Sequence, residues 1–289
     1  MSERVAALPP LFPVPYRLAW RPGSMRPGAH HGSGEGGSGA FRRHVPLLQH
    51  PDPRRIDFRR TFQDPMGEVH VRRFAPRSAI TLIAFVDLSG SMGFEGHVRR
   101  MAVVAELCAT LALSAHKTGD RFGLIGCDSS VRKDVFIAPA HRRGLEVEVF
   151  DLLARARPGG ASVRGLAETA GWLPARRSLV FLISDFLFPV VELEGILDAL
   201  WRHDIVPVLP RDSGEDEDVP AWGLVELRDL ETGRRRLTVM RPALRDRWRR
   251  ARQERFSQLD RLFGARGRLP VHLVDRFDPD ELAESLIGE

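Results

Sequence analysis

The stretch Ala79–Leu88, AITLIAFVDL, constrains the fold more than any other part of this chain. A strand with one wet face alternates apolar and polar residues, whereas this run is almost continuously apolar. That pattern belongs to a central parallel strand covered on both faces. It stops at the turn-like SGSMG, and from His97 to His116 the residues Met101, Val104, Cys108, Leu111 and Ala115 recur at helical spacing. Strand, turn and helix in that order open a doubly wound fold.

The unit repeats along the chain. RFGLIGC (121–127) and VRKDVFIA (131–138) read as strands, 141–156 as a helix, and PGGAS (158–162) as a loop before a helix running to about Trp172. SLVFLISDF (178–186) is a second strongly apolar strand, closing on Asp185. A helix over 192–202 and the strand DIVPVLP (204–210) follow. LVELRDLETGRRRLTVM reads as a hairpin and 242–263 as a long Arg-rich helix with Leu244, Trp248, Leu259 and Leu262 inward. LPVHLV (269–274) and a helix capped by Asp278 with Pro279 at its first turn complete the chain. This alternation predicts a three-layer α/β domain with a mostly parallel sheet between helices. The domain is expected to span residues 78–289. A Pro/Gly-rich arm over 1–40, flexible or loosely docked, and an accessory segment over 41–77 with a short strand at Glu68–Phe74 precede it.

Composition narrows the function. No apolar run approaches the roughly 20 residues of a membrane span. The prolines of MSERVAALPPLFPVPYRLAW interrupt what a signal peptide would need, so a cytoplasmic protein is expected. Cys108 and Cys127 both fall in apolar segments and read as buried free thiols. The net charge of +5 comes almost wholly from arginine, Lys117 and Lys133 being the only lysines, a compositional habit rather than a nucleic-acid footprint. His30 and His31 have no partner cluster in sequence and read as solvated. Arg54, Arg55 and Asp57 read as a strip pairing with the main domain.

In doubly wound sheets, ligands bind outside the carboxyl ends of the strands, where strand order reverses. Three segments are expected there: Asp87, Ser89 and Ser91 after the first strand, Ser162 after the paired glycines, and Asp185 at the end of another strand. In the D-x-S-x-S turn alternate residues face one side, so a carboxylate and two hydroxyls converge while Gly90 eases the turn. Hard cations such as Mg²⁺ take oxygen ligands of this kind.

FVDLSGSM followed by an amphipathic helix resembles the metal-ion-dependent adhesion site of von Willebrand factor A domains. GSGAFRRHVPLLQHPDPRRIDFRR, then VRRF, SDF (184–186) and DLETG (229–233), resemble one bacterial branch, the domain-of-unknown-function 58 family, often encoded beside MoxR-type AAA+ ATPases. The resemblance implies direct metal binding by Ser89 and Ser91, with Asp87 and Asp185 acting directly or through water, around Mg²⁺ (or Mn²⁺ or Ca²⁺). The family's usual threonine is Ala161 here; either Ser162 supplies the hydroxyl or one ligand is lost. It also implies a non-enzymatic, chaperone-like role in maturing other proteins. The partner would be the ATPase or a client offering an acidic side chain, with no nucleic acid and no membrane span.

Two other readings use the same turn. As a helix cap, Ser89 and Ser91 would satisfy backbone amides around a metal-free scaffold. As an altered nucleophile elbow, Ser91 would attack with His203 or His272 as base, although Asp87 would sit against a developing oxyanion.

Overall fold

A computed structural model describes residues 7–18, 20, 22, 28–31, 40–75, 77–160 and 164–287. They form two compact units. The larger takes the chain up to Arg17, then Thr81–Lys117 and everything from Arg121 on; the smaller takes Leu18–Ile80 and Thr118–Asp120.

The larger unit is the expected α/β layer structure. Its strands and helices are β1 (Thr81–Asp87), α1 (Arg100–Thr118), β2 (Arg121–Cys127), β3 (Val131–Ala140), α2 (Leu145–Arg155), α3 (Arg164–Glu168), β4 (Leu179–Ile183), α4 (Val190–Ala199), β5 (Asp204–Arg211), β6 (Gly223–Arg228), β7 (Arg235–Met240), α5 (Pro242–Gly264), β8 (Val271–Val274) and α6 (Pro279–Ile287). Six strands form one sheet in the order β8-β5-β4-β1-β2-β3, parallel except for β3, which runs antiparallel to β2.

Every residue of β4, and every residue of β1 after Thr81, is buried, as continuous apolar runs require. Ile83 and Phe85 point to one face and join a cluster with Val180, Leu182, Leu193, Ile196, Leu259 and Phe263, which brings α4 and α5 onto that face. Leu82, Ala84 and Val86 point the other way and are fully buried too. α1 contributes nothing to the first cluster yet is buried along most of its length, so it covers the opposite face. Asp278 caps α6 as expected, accepting from Asp280 N–H at 3.0 Å. Cys108 and Cys127 are free and buried.

Three expectations for this unit change. The start of the Pro-rich arm is docked, because Val14 and Tyr16 are buried and Val14 N–H donates to Ser114 Oγ on α1 at 2.8 Å. Trp248 lies outside the core, 39% exposed; only the second half of α5, through Leu259 and Phe263, reaches it. Among the described residues no helix is long and apolar enough to cross a membrane.

The smaller unit pairs Ala40–Pro46 with His70–Ala75 as antiparallel strands and His30–His31 with Arg77–Ser78. The accessory region therefore draws in part of the sequence assigned to the arm. Gly28 is required there, because a Cβ would fall 2.4 Å from the backbone of Ala79. His30 is not solvated: its Nε2 lies 2.8 Å from Asp120 Oδ2. Asp57 organises the rest, accepting from Arg72 Nε at 2.7 Å and Arg60 N–H at 3.1 Å, with His44 Nε2 2.9 Å away. The Arg72 and His44 bonds hold its carboxyl far below the usual range. Arg55 pairs with Asp52 at 3.0 Å and lies over Phe74. This strip holds its own unit together instead of pairing with the main domain.

Candidate functional site

Strand order reverses between β1 and β4. β1 leads through α1 to β2 on one side, while β4 sits on its other side. The loops leaving those two strands therefore open a crevice at their carboxyl ends. Asp87 ends β1, and Ser184 and Asp185 directly follow β4, so the expected carboxylates meet across that crevice.

Asp87 is fully buried. Its Oδ1 accepts from Ser89 N–H at 2.8 Å, and its Oδ2 accepts from Ser184 Oγ–H at 2.7 Å. Burial, and then the nearby Asp185 charge, push its pKa up to about 6 in spite of these donors. Ser89 begins a single 3-10 turn over Gly90–Gly93 but makes no side-chain capping bond to it. Its Oγ lies 3.2 Å from Ser91 Oγ. The helix-cap alternative thus fails at Ser89, and the two hydroxyls face each other beside a buried carboxylate.

The third loop is drawn to the same place. Gly90 N–H donates to Gly160 O at 3.1 Å, and Gly159 N–H donates to Leu88 O at 2.8 Å. The Pro158–Gly160 stretch is thereby stitched to the Ser89 turn; Ser162 itself lies outside the described residues. Asp185 Oδ1 accepts from Leu187 N–H at 3.2 Å. Phe186, with φ 50°, turns the chain sharply there, and its amide is held by Ser184 Oγ at 2.9 Å.

Arg100, the first residue of α1, is the group the sequence reading missed. It is 2% exposed, and its Nη1 donates to Asp185 Oδ2 at 3.0 Å and to Ser91 O at 2.9 Å. Its Nη2 donates to Glu215, which also pairs with Arg252. One Asp185 oxygen is therefore held by a guanidinium and the other by an amide.

Gly90 also has a different role from the one expected. Its φ is not positive; what demands glycine is the β6–β7 turn, since a Cβ would fall 2.3 Å from Leu230 O and 2.9 Å from Glu231 Cα. The DLETG segment thus rests on the Ser89–Ser91 turn. Gly90→Ala is expected to lower stability by about 1–3 kcal/mol through forced backbone movement. It should also expose the 229–233 turn to protease; an unshifted thermal midpoint with unchanged proteolysis would contradict this packing.

Neither histidine of the hydrolase reading reaches Ser91. His203 precedes β5 at the amino edge of the sheet, where Ser178 N–H donates to its Nδ1 at 3.3 Å. His272 lies in β8, three strands from β1, on the order of 14 Å away at normal strand spacing.

The family model described as "Protein of unknown function DUF58" matches residues 50–257. The chain belongs to that family. Its domain of unknown function 58 places the Asp87 turn, the Asp185 loop and most of α5 inside the matched region. A Paracoccus denitrificans relative, described by its position in the moxR 3′ region, is 40% identical over 101 residues, covering 35% of this chain and 96% of the relative. An uncharacterized Mycobacterium tuberculosis protein is 29% identical over 208 residues, covering 69% of this chain and 63% of its own length. A solved aerotolerance-related membrane protein from Bacteroides fragilis overlays with a TM-score of 0.43 at 11% identity, over 73% of this chain and 98% of that one. That likeness is too distant to carry an argument.

The donors fit a hard divalent cation. All are oxygens, two of them paired hydroxyls without capping duties, and Asp87 is a buried carboxylate whose charge is opposed by a second carboxylate. Asp185, with both oxygens already accepting, suits contact through water.

Proposed function

We propose that this chain is a metal-ion-dependent protein-binding module of the von Willebrand factor A type. In this reading it works beside a MoxR-type AAA+ ATPase in maturing or assembling other proteins. The observation that carries this is the convergence, at the switch point of the sheet, of buried Asp87 with the facing hydroxyls of Ser89 and Ser91 and with Asp185. The relative named for the moxR 3′ region supports the partnership.

Ser89 and Ser91 would hold the cation directly, Asp87 directly or through water, and Asp185 through water. Mg²⁺ or a similar ion supplies a positive centre for an incoming carboxylate. Arg100 already offsets Asp185, which leaves Asp87 as the main uncompensated charge beside a divalent ion. The bound ion keeps a net positive charge, and a partner's acidic side chain is drawn to its open position.

Mg²⁺ and Mn²⁺ are expected to raise the thermal midpoint of the wild-type chain, and a chelator to release proteins retained from native extract. Fluorophosphonate probes should leave Ser91 unlabelled. Labelling of Ser91 without any metal response would replace this reading with a serine hydrolase; neither response would leave a metal-free scaffold.

A further inference from the structure

Beside the crevice, a cavity of about 290 Å³ opens between α5 and the carboxyl ends of β4 and β5. Four guanidinium groups line it, those of Arg100, Arg211, Arg252 and Arg255, against two carboxylates, Asp185 and Glu215. Glu215 is shared between Arg100 and Arg252, and Asp185 is bonded to Arg100. Arg255 donates to the carbonyls of Phe186 and Phe188. Burial and the facing guanidiniums of Arg211 and Arg100 pull Arg252 down to about 10, so the two carboxylates do not neutralise the cluster. The remaining wall is apolar, including Leu187, Leu209 and Phe256, with Arg211 stacked 4.2 Å over the Phe256 ring.

We propose that this cavity is a second recognition site, one that takes a carboxylate side chain of a bound peptide, with an apolar neighbour of that residue lying against Phe256 and Leu209. Planar guanidiniums present paired N–H donors that match a carboxylate, and a partly desolvated pocket strengthens such charge-assisted bonds. The apolar wall distinguishes a peptide from a free inorganic oxyanion, which has nothing to place there. The site needs no cation, so it stands or falls separately from the metal reading.

The test is fluorescence anisotropy of the full chain with a fluorescein-labelled peptide of alternating glutamate and leucine, with EDTA present throughout. The matched glutamine–leucine peptide serves as control on the ligand side, independent of any variant's folding. The glutamate peptide is expected to bind and the glutamine peptide to bind at least about tenfold more weakly. Arg252→Gln is expected to weaken the glutamate peptide by about the same factor, and Arg252→Lys, which keeps charge but loses the fork, to recover only part. Arg236→Gln, on the exposed β7 strand, should leave binding unchanged. Equal binding of both peptides overturns the proposal, as does an Arg252→Gln chain that binds like wild type. Displacement by inorganic phosphate with no measurable peptide binding overturns it in favour of a small-oxyanion site.

Discussion

Arg100→Met is expected to cost the metal-free protein about 3–5 kcal/mol, because it leaves Asp185 and Glu215 as buried carboxylates without their shared cation. For a domain of this size that is a fall on the order of 10 °C in thermal midpoint. The same change should enlarge the response to Mg²⁺. Arg100 and a bound cation both stabilise negative charge at Asp185, so removing the first increases what the second contributes. Melting the wild type and Arg100→Met with EDTA and with millimolar Mg²⁺ gives both quantities. A variant as stable as wild type without metal would mean that the buried pairing is energetically idle. A smaller Mg²⁺ response than wild type would separate Asp185 from the cation site.

Asp87→Asn should act in the opposite direction. The folded carboxyl titrates near 6, above the ordinary value of 3.8, since burial and Asp185 disfavour its charge. Folding therefore takes up a proton across that interval. The stabilisation from the protonated form is complete below the unfolded value and is lost as pH rises through about 6. At neutral pH the ionised group costs about 3 kcal/mol relative to a neutral one. Without metal, the wild type is expected to gain stability as pH falls from about 7 toward 5, and Asp87→Asn to flatten that profile while raising the midpoint at pH 7. With Mg²⁺ the order reverses, because the ionised carboxylate then has a cation to face and the asparagine variant gains little. A pH profile that Asp87→Asn leaves unchanged, or a variant that keeps the full Mg²⁺ response, would remove Asp87 from the centre of the site.

These two residues mark how far a one-dimensional reading goes. The continuous apolar runs of β1 and β4 reported strands buried on both faces, and the shift to helical spacing after Gly93 reported α1. Those local periods were enough for the layer order and for the idea that Asp87 and Asp185 share one end of the sheet. The D-x-S-x-S spacing brought Ser89 and Ser91 to the same side because neighbouring residues obey backbone geometry. The same local reasoning misjudged His30, which a Gly-rich context made look solvated although Asp120 lies 90 residues away against it. It also misjudged Trp248, whose helical period matched a buried stripe that only the second half of α5 presents to the core.

Burial patterns and turn chemistry are properties of adjacent residues, so the amino-acid order alone was enough to determine the α/β layering and the positions of the candidate oxygens. The pairing of Arg100 with an aspartate 85 residues away was decided only by the folded chain. So were the seating of the Leu230–Glu231 turn on Gly90 and the gathering of four arginines around one cavity. Charges interact through space, and a guanidinium's partner depends on which helix end the sheet brings alongside, a distance that no local pattern encodes.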